Sequence, residues 1–121
     1  MASALTFRQV ALSFPGATEQ PHFEKTSFRI RNKIFATLDE RAGIACLMLS
    51  PIDQSVFCAH DKEIMYPVPN KWGQQGATFV GLKKIRKSML KDALTHAYNK
   101  AAYKPEKSLE TLSSYSQNII L

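Results

Sequence analysis

Cysteine is scarce in this chain: Cys46 and Cys58 are the only two in 121 residues. They lie in the apolar runs "GIACLML" and "SVFCAH", at a spacing that fits neither a CxxC redox pair nor a zinc site. They read as reduced thiols that pack as small hydrophobes. Histidine is nearly as rare. His22, His60 and His96 lie far apart, none with a second ligand-type residue at metal spacing, so no metal and no cofactor is expected. The pairs Cys58–His60 and Asp92–His96 lack a third orienting group, and no catalytic residues and no enzyme activity are expected. The five glycines include one close pair, "GQQG", which matches no phosphate-binding loop. No stretch approaches the ~20 apolar residues of a membrane span. The start, "MASALTFRQV", lacks the charge-then-apolar order of a signal peptide, so a cytoplasmic protein without membrane contact is expected.

Acidic residues are also in deficit. Lys and Arg number 16 against 10 Asp and Glu, a net charge of +6. That suits contact with a polyanion, or simply solubility. Apolar residues make up 45% of the chain and charged residues 21%, as in ordinary globular proteins. A chain of this length buries roughly two-thirds of its unfolded surface, enough for a core without metal or disulfide. One domain over residues 1–104 is expected, followed over 105–121 by a polar tail, partly disordered or a packed extension, in which Glu106–Ser113 has room for a short helix. A monomer is expected.

In "ALTFRQVALSF", Leu5, Val10 and Phe14 recur at helical spacing, flanked by Phe7 and Ala11. Ser3 or Thr6 can cap this first helix, and Pro15-Gly16 ends it. "TSFRIRNKIFATL" reads as a β-hairpin. Its alternation favours a three-residue loop that pairs Ile30 with Ile34, with Asn32 left-handed; Phe28, Ile30, Ile34, Ala36 and Leu38 then share one face. "DERAG" is a turn, and "IACLML" reads as a central strand buried on both faces. Ser50-Pro51 opens a short helix ending before Asp61. "IMYPV" is an edge strand spoiled by Pro67 and Pro69, Asn70–Gly76 a loop, and "ATFVGL" the last strand. From Lys83 to Ala102, Ile85, Met89, Ala93, Leu94, Ala97, Tyr98 and Ala101 mark the clearest helix. Hairpins between end helices predict an α+β fold, an antiparallel sheet with N- and C-terminal helices packed on one face.

Basic residues gather in three stretches. Arg29, Arg31 and Lys33 lie in the hairpin, and Lys71 stands beside the only tryptophan, Trp72. "LKKIRKSMLK" supplies Lys83, Lys84, Arg86, Lys87 and Lys91, with Lys84, Lys87 and Lys91 on one predicted helical stripe. Cations at a helix start oppose its dipole by roughly 0.3–1 kcal/mol each, which a purely structural role does not explain. Several cations on one surface beside an aromatic suit a phosphate backbone and an unpaired base. The first functional expectation is therefore a non-enzymatic domain that binds DNA or another polyanion through the hairpin tip and the final helix. The alternative is a protein-interaction or small-ligand module built on the Pro67–Gly76 loop. Trp72 itself reads as an indole folded back on the core, its N–H on a backbone carbonyl, with Lys71 outside.

Phe14-Pro15-Gly16 after the first helix, Phe28, Lys33, Phe35 and Ala36 in the hairpin, Lys71-Trp72-Gly73 with Gly76, and Ala97-Tyr98 in the last helix occur together over residues 5–104. In this order the chain resembles the MmcQ/YjbR family. The resemblance implies a YjbR-like, "double-wing" or frataxin-like α+β fold and a DNA-binding label, and it brings no catalytic residues. Two positions depart from the family's pattern: Ala77 stands where an aromatic is frequent, and Asn32 where the hairpin turn often has glycine. An iron-binding role of the frataxin kind requires a carboxylate ridge on the first helix, and that helix has no carboxylate.

Overall fold

The computed structural model describes residues 2–103. Ser3 caps α1 (Ala4–Leu12), its hydroxyl accepting from the Thr6 amide at 3.0 Å. The buried stripe of α1 is Phe7, Val10 and Ala11. Leu5, expected inside, is 64% exposed, and Phe14 lies beyond the helix, stacked on Tyr98. The stripe follows the helical period; it sits one residue round from the expected one.

Next comes β1 (Thr18–His22), a strand with no counterpart in the sequence reading. It is the edge partner of β2 (Lys25–Ile30), which pairs in turn with β3 (Lys33–Asp39). The β2–β3 turn has two residues, not three. Arg31 and Asn32 both have positive φ, 50° and 68°, the primed geometry that matches strand twist. A two-residue turn alone would mix the faces, and a bulge repairs this. Phe28 opposes Ala36 while Arg29 opposes Ile34, so Phe35 is the extra residue. Phe35 therefore joins Phe28, Ile30, Ala36 and Leu38 in the core, in the place expected for Ile34.

The turn at Asp39–Gly43 leads into β4 (Ile44–Met48), and Asp39 Oδ1 accepts from the Ala42 amide. Ser50 caps α2 (Pro51–His60), which runs to the residue before Asp61 as expected. Then follow β5 (Met65–Pro67), a one-turn helix α3 (Lys71–Gln74) inside the expected loop, β6 (Ala77–Gly81) and α4 (Lys87–Ala102). The strand order is β1-β2-β3-β4-β6-β5, with every neighbouring pair antiparallel. The proline-bearing β5, which lacks the amide donor of Pro67, is an edge strand as expected. Helix α4 begins at Lys87, four residues later than expected, so Lys84 is in the preceding turn and not on a helical stripe with Lys87 and Lys91.

The N- and C-terminal helices pack against one face of the sheet, and the core lies between, around Phe7, Phe28, Phe35, Leu47, Leu90 and Leu94. Phe57 of α2 meets His96 of α4 edge-on. Among the described residues no helix is long and apolar enough to cross a membrane. The tail over 105–121, with its candidate helix at Glu106–Ser113, lies outside the described residues.

Candidate nucleic-acid interface

Two ends of the sheet carry the candidate cations. The first end has the β2–β3 turn, where Arg31 reaches across to donate to the Ala102 carbonyl at the C-terminus of α4. A cation there satisfies an orphan carbonyl and complements the dipole. Lys33 stands exposed beside it. At sixteen residues, α4 is about 24 Å long. Its N-terminal end carries Lys83, Lys84, Arg86, Lys87 and Lys91, all exposed. The hairpin tip and the basic start of the last helix thus lie a helix length apart and form no common patch.

Around the start of α4 the neighbouring acids are partly committed. Glu63 pairs with Lys84 at 3.4 Å, and Asp61 Oδ1 accepts from the Glu63 amide. Asp92 lies 3.8 Å from His96 Nε2, whose Nδ1 is 3.2 Å from Asp53. A cleft between the end of α2 and the start of α4 opens beside these groups, lined among others by His60, Asp61, Lys84, Arg86 and Asp92. Arg86 is the N-cap residue and makes no side-chain cap bond, so the amides of the first turn receive no side-chain acceptor there.

Strand alternation places a second constellation on the sheet face away from α1 and α4. Tyr66, Phe79, Cys46, Thr37 and Ser27 form one row across it, and Met48 and Ala77 a neighbouring pair. β4 is central, yet only Ala45 and Leu47 are fully buried; Ile44, Cys46 and Met48 are half-covered. The expectation of burial on both faces therefore fails, because helices cover one side. Arg29 also lies here, its Nε donating to Ser27 Oγ at 3.0 Å and its Nη1 to Asn32 Oδ1 at 3.4 Å.

Trp72 overlooks this face from α3. Asn70 Oδ1 accepts from the Trp72 amide at 2.9 Å and caps the turn. Gly73 is pressed so close to the Val68 carbonyl that a Cβ would lie 1.6 Å from its oxygen. That contact puts residue 73 inside and residue 72 outside. The indole is 64% exposed, which corrects the expectation that it caps the core. Lys71, beside it, is exposed as expected.

Cys58 and His60 both lie on α2, where residues two apart face different ways. Burial pushes the Cys58 thiol above its ordinary value, and that of Cys46 too, the latter opposed by the Thr78 backbone and by Lys25. Neither is an activated nucleophile. Among the described residues no three His, Cys, Asp or Glu side chains gather to hold a metal.

A family model described as YjbR matches residues 12–100. The chain belongs to the YjbR family. Among solved structures, the YjbR domain is similar to the Deinococcus radiodurans protein DR2400, whose domain is described as DUF419. The TM-score is 0.72 at 18% identity, over 91% of this chain and 88% of that one. At that identity the likeness establishes the fold. Among curated proteins, none matches.

Sequence reasoning missed the half-covered sheet face and Phe23. The latter sits in the β1–β2 turn at φ 58° and is 94% exposed, an outlier for a bulky residue. A continuous apolar run in β4 was the available signal for the face; nothing local marks Phe23.

Proposed function

We propose that this YjbR domain is a non-enzymatic nucleic-acid-binding protein that holds the phosphate backbone with Lys83, Lys84, Arg86, Lys87 and Lys91. The observation that carries this reading is the exposure of those cations where α4 begins. There they meet the positive end of the helix dipole, and of these five cations only Lys84 has an ion pair among the described residues. Such an arrangement lowers intramolecular stability and raises the local positive potential, which a phosphate backbone would reward. Hairpin residues Arg31 and Lys33 lie a helix length away and form no part of that patch, and Arg31 serves the end of α4.

Binding of a 20-base-pair duplex followed by fluorescence anisotropy tests the reading. With those five cations engaged, log affinity should fall with log salt at a slope of about −4.5, roughly 500-fold between 50 and 200 mM. The variant K84E/K87E/K91E should lose binding at 150 mM salt while keeping its thermal midpoint. Affinity retained in that variant rules the surface out.

A further inference from the structure

We infer that the half-covered sheet face binds single-stranded nucleic acid, laying unpaired bases on Trp72 and Phe79 and holding phosphates with Lys25, Arg29 and Lys71. This rests on the nucleic-acid reading above but uses a different surface. A shallow groove of about 360 Å³ crosses the face from His22 and Lys25, past Cys46 and Phe79, to Trp72. It is small and open along its length, suited to flat groups laid on the sheet. Exposed aromatics stand at both ends: Trp72 on α3 and, at the far turn, Phe23. Backbone strain at an exposed aromatic marks positions held for a task. Tyr66 and Phe79 add a neighbouring aromatic pair with ring centroids 5.7 Å apart.

Charge favours a polyanion here over an acidic-rimmed or neutral partner. Lys25 lines the groove, Arg29 lies on the same sheet face, and exposed Lys71 is the chain neighbour of Trp72; Asp39 on this face is turned to the Ala42 amide, and Glu24 stands exposed next to Lys25. The Glu19 and Glu40 carboxylates are drawn off by Arg8 of α1. Arg29 is held in place through Nε and Nη1, leaving Nη2 to meet a phosphate.

Width keeps this face out of an undeformed duplex groove. The six strands, at about 4.8 Å per spacing, span roughly 24 Å, twice the roughly 12 Å major groove that admits a helix or a two-stranded ribbon. An unpaired strand has no such limit, and aromatic side chains on a sheet are a recurrent platform for its bases.

Because Trp72 is the only tryptophan, its emission reports on the face directly. The full chain is titrated at 50 mM salt with a thymidine 12-mer, a uridine 12-mer and a 12-base-pair duplex, alongside Trp72→Ala, Lys25→Glu and K84E/K87E/K91E. The expected result is quenching by either single strand and not by the duplex. Trp72→Ala should weaken single-strand binding about tenfold and leave duplex binding unchanged. Lys25→Glu, at an exposed site, should weaken it without unfolding. In K84E/K87E/K91E duplex binding should vanish while quenching by the single strands survives. Single strands that bind with Trp72 emission unchanged, or that bind Trp72→Ala equally well, overturn the inference and leave the α4 reading standing. Failure of every oligonucleotide to bind overturns both. An indole already shielded from iodide in the free protein would assign the face to a second copy or to residues 104–121, and would also overturn it.

Discussion

Replacing Gly76 with alanine should destabilise the domain far more than the same change at Gly43, and the difference can be worked from the backbone. Both glycines have positive φ, 116° at Gly76 and 68° at Gly43. Alanine there incurs about 1–2 kcal/mol of steric strain. At Gly43 little is added, because the nearest atom to a Cβ is the flexible end of Lys83 at 3.9 Å. At Gly76 the Cβ would lie 1.8 Å from the Leu49 carbonyl oxygen, where ordinary contact begins at 3.4 Å. Separating them pulls apart the exit of β4 and the entry of β6, where the Leu49 amide donates to the Gly76 carbonyl at 3.2 Å. Losing that bond adds about 1 kcal/mol, and leaving buried groups unpaired adds about 1 more. Gly76→Ala should therefore lose about 3–4 kcal/mol and Gly43→Ala about 1–2 kcal/mol. In thermal midpoint this is about 15–25 °C against about 5–10 °C for a domain of this size. Urea unfolding followed by circular dichroism measures both on one scale. Trp72 emission should also shift in Gly76→Ala, since α3 is anchored between Gly73 and Gly76. Equal losses at the two positions would refute the close-approach argument.

Arg31→Ala keeps the left-handed backbone but removes the donor to the Ala102 carbonyl. It should lower stability by about 1 kcal/mol and raise amide exchange in the last turn of α4. Asn32→Gly relieves the second left-handed residue of the turn and should raise the urea midpoint, by about 0.5 kcal/mol in stability. Burial holds both thiols protonated in the fold, so the unfolded chain ionises first as pH rises. Their contribution is complete below the ordinary thiol value of about 8.5 and is lost above it, and the fall should shrink in Cys46→Ala. Iodoacetamide at pH 8 should alkylate both slowly, and a bound thymidine 12-mer should protect Cys46, in the groove, but not Cys58 on α2.

What the sequence made legible follows from where side chains report their surroundings. Hydrophobic period placed the β2–β3 hairpin, the central β4 and the last helix, because each buries one face and must repeat at its own spacing. β1 left no such trace. "TEQPH" pairs with β2 through its backbone while most of its side chains face water, so no apolar alternation marks it. The β2–β3 register illustrates a subtler loss. A three-residue loop and a two-residue turn with a bulge both return the apolar residues to the core, differing in whether Ile34 or Phe35 goes inside. Local alternation cannot separate them; the bulge does, by putting Phe35 and Ala36 on the same side.

The candidate site was less legible, since it depends on long-range placement. Nothing near Lys84 in sequence says that Arg31 lies at the other end of α4. Likewise, Trp72 points outward because Gly73 meets the Val68 carbonyl, a contact made only when the loop closes on β6. The most informative clue was present and misread. "IACLML" is apolar enough for burial on two sides, yet α1 and α4 cover only one side of β4. An antiparallel strand with one wet face ordinarily alternates apolar and polar residues. Ile44, Cys46 and Met48 break that rule together, beside Phe79, Tyr66 and an exposed indole. That surplus of apolar surface on the wet side is what the inferred single-strand contact would use, since helix packing on the other face does not require it.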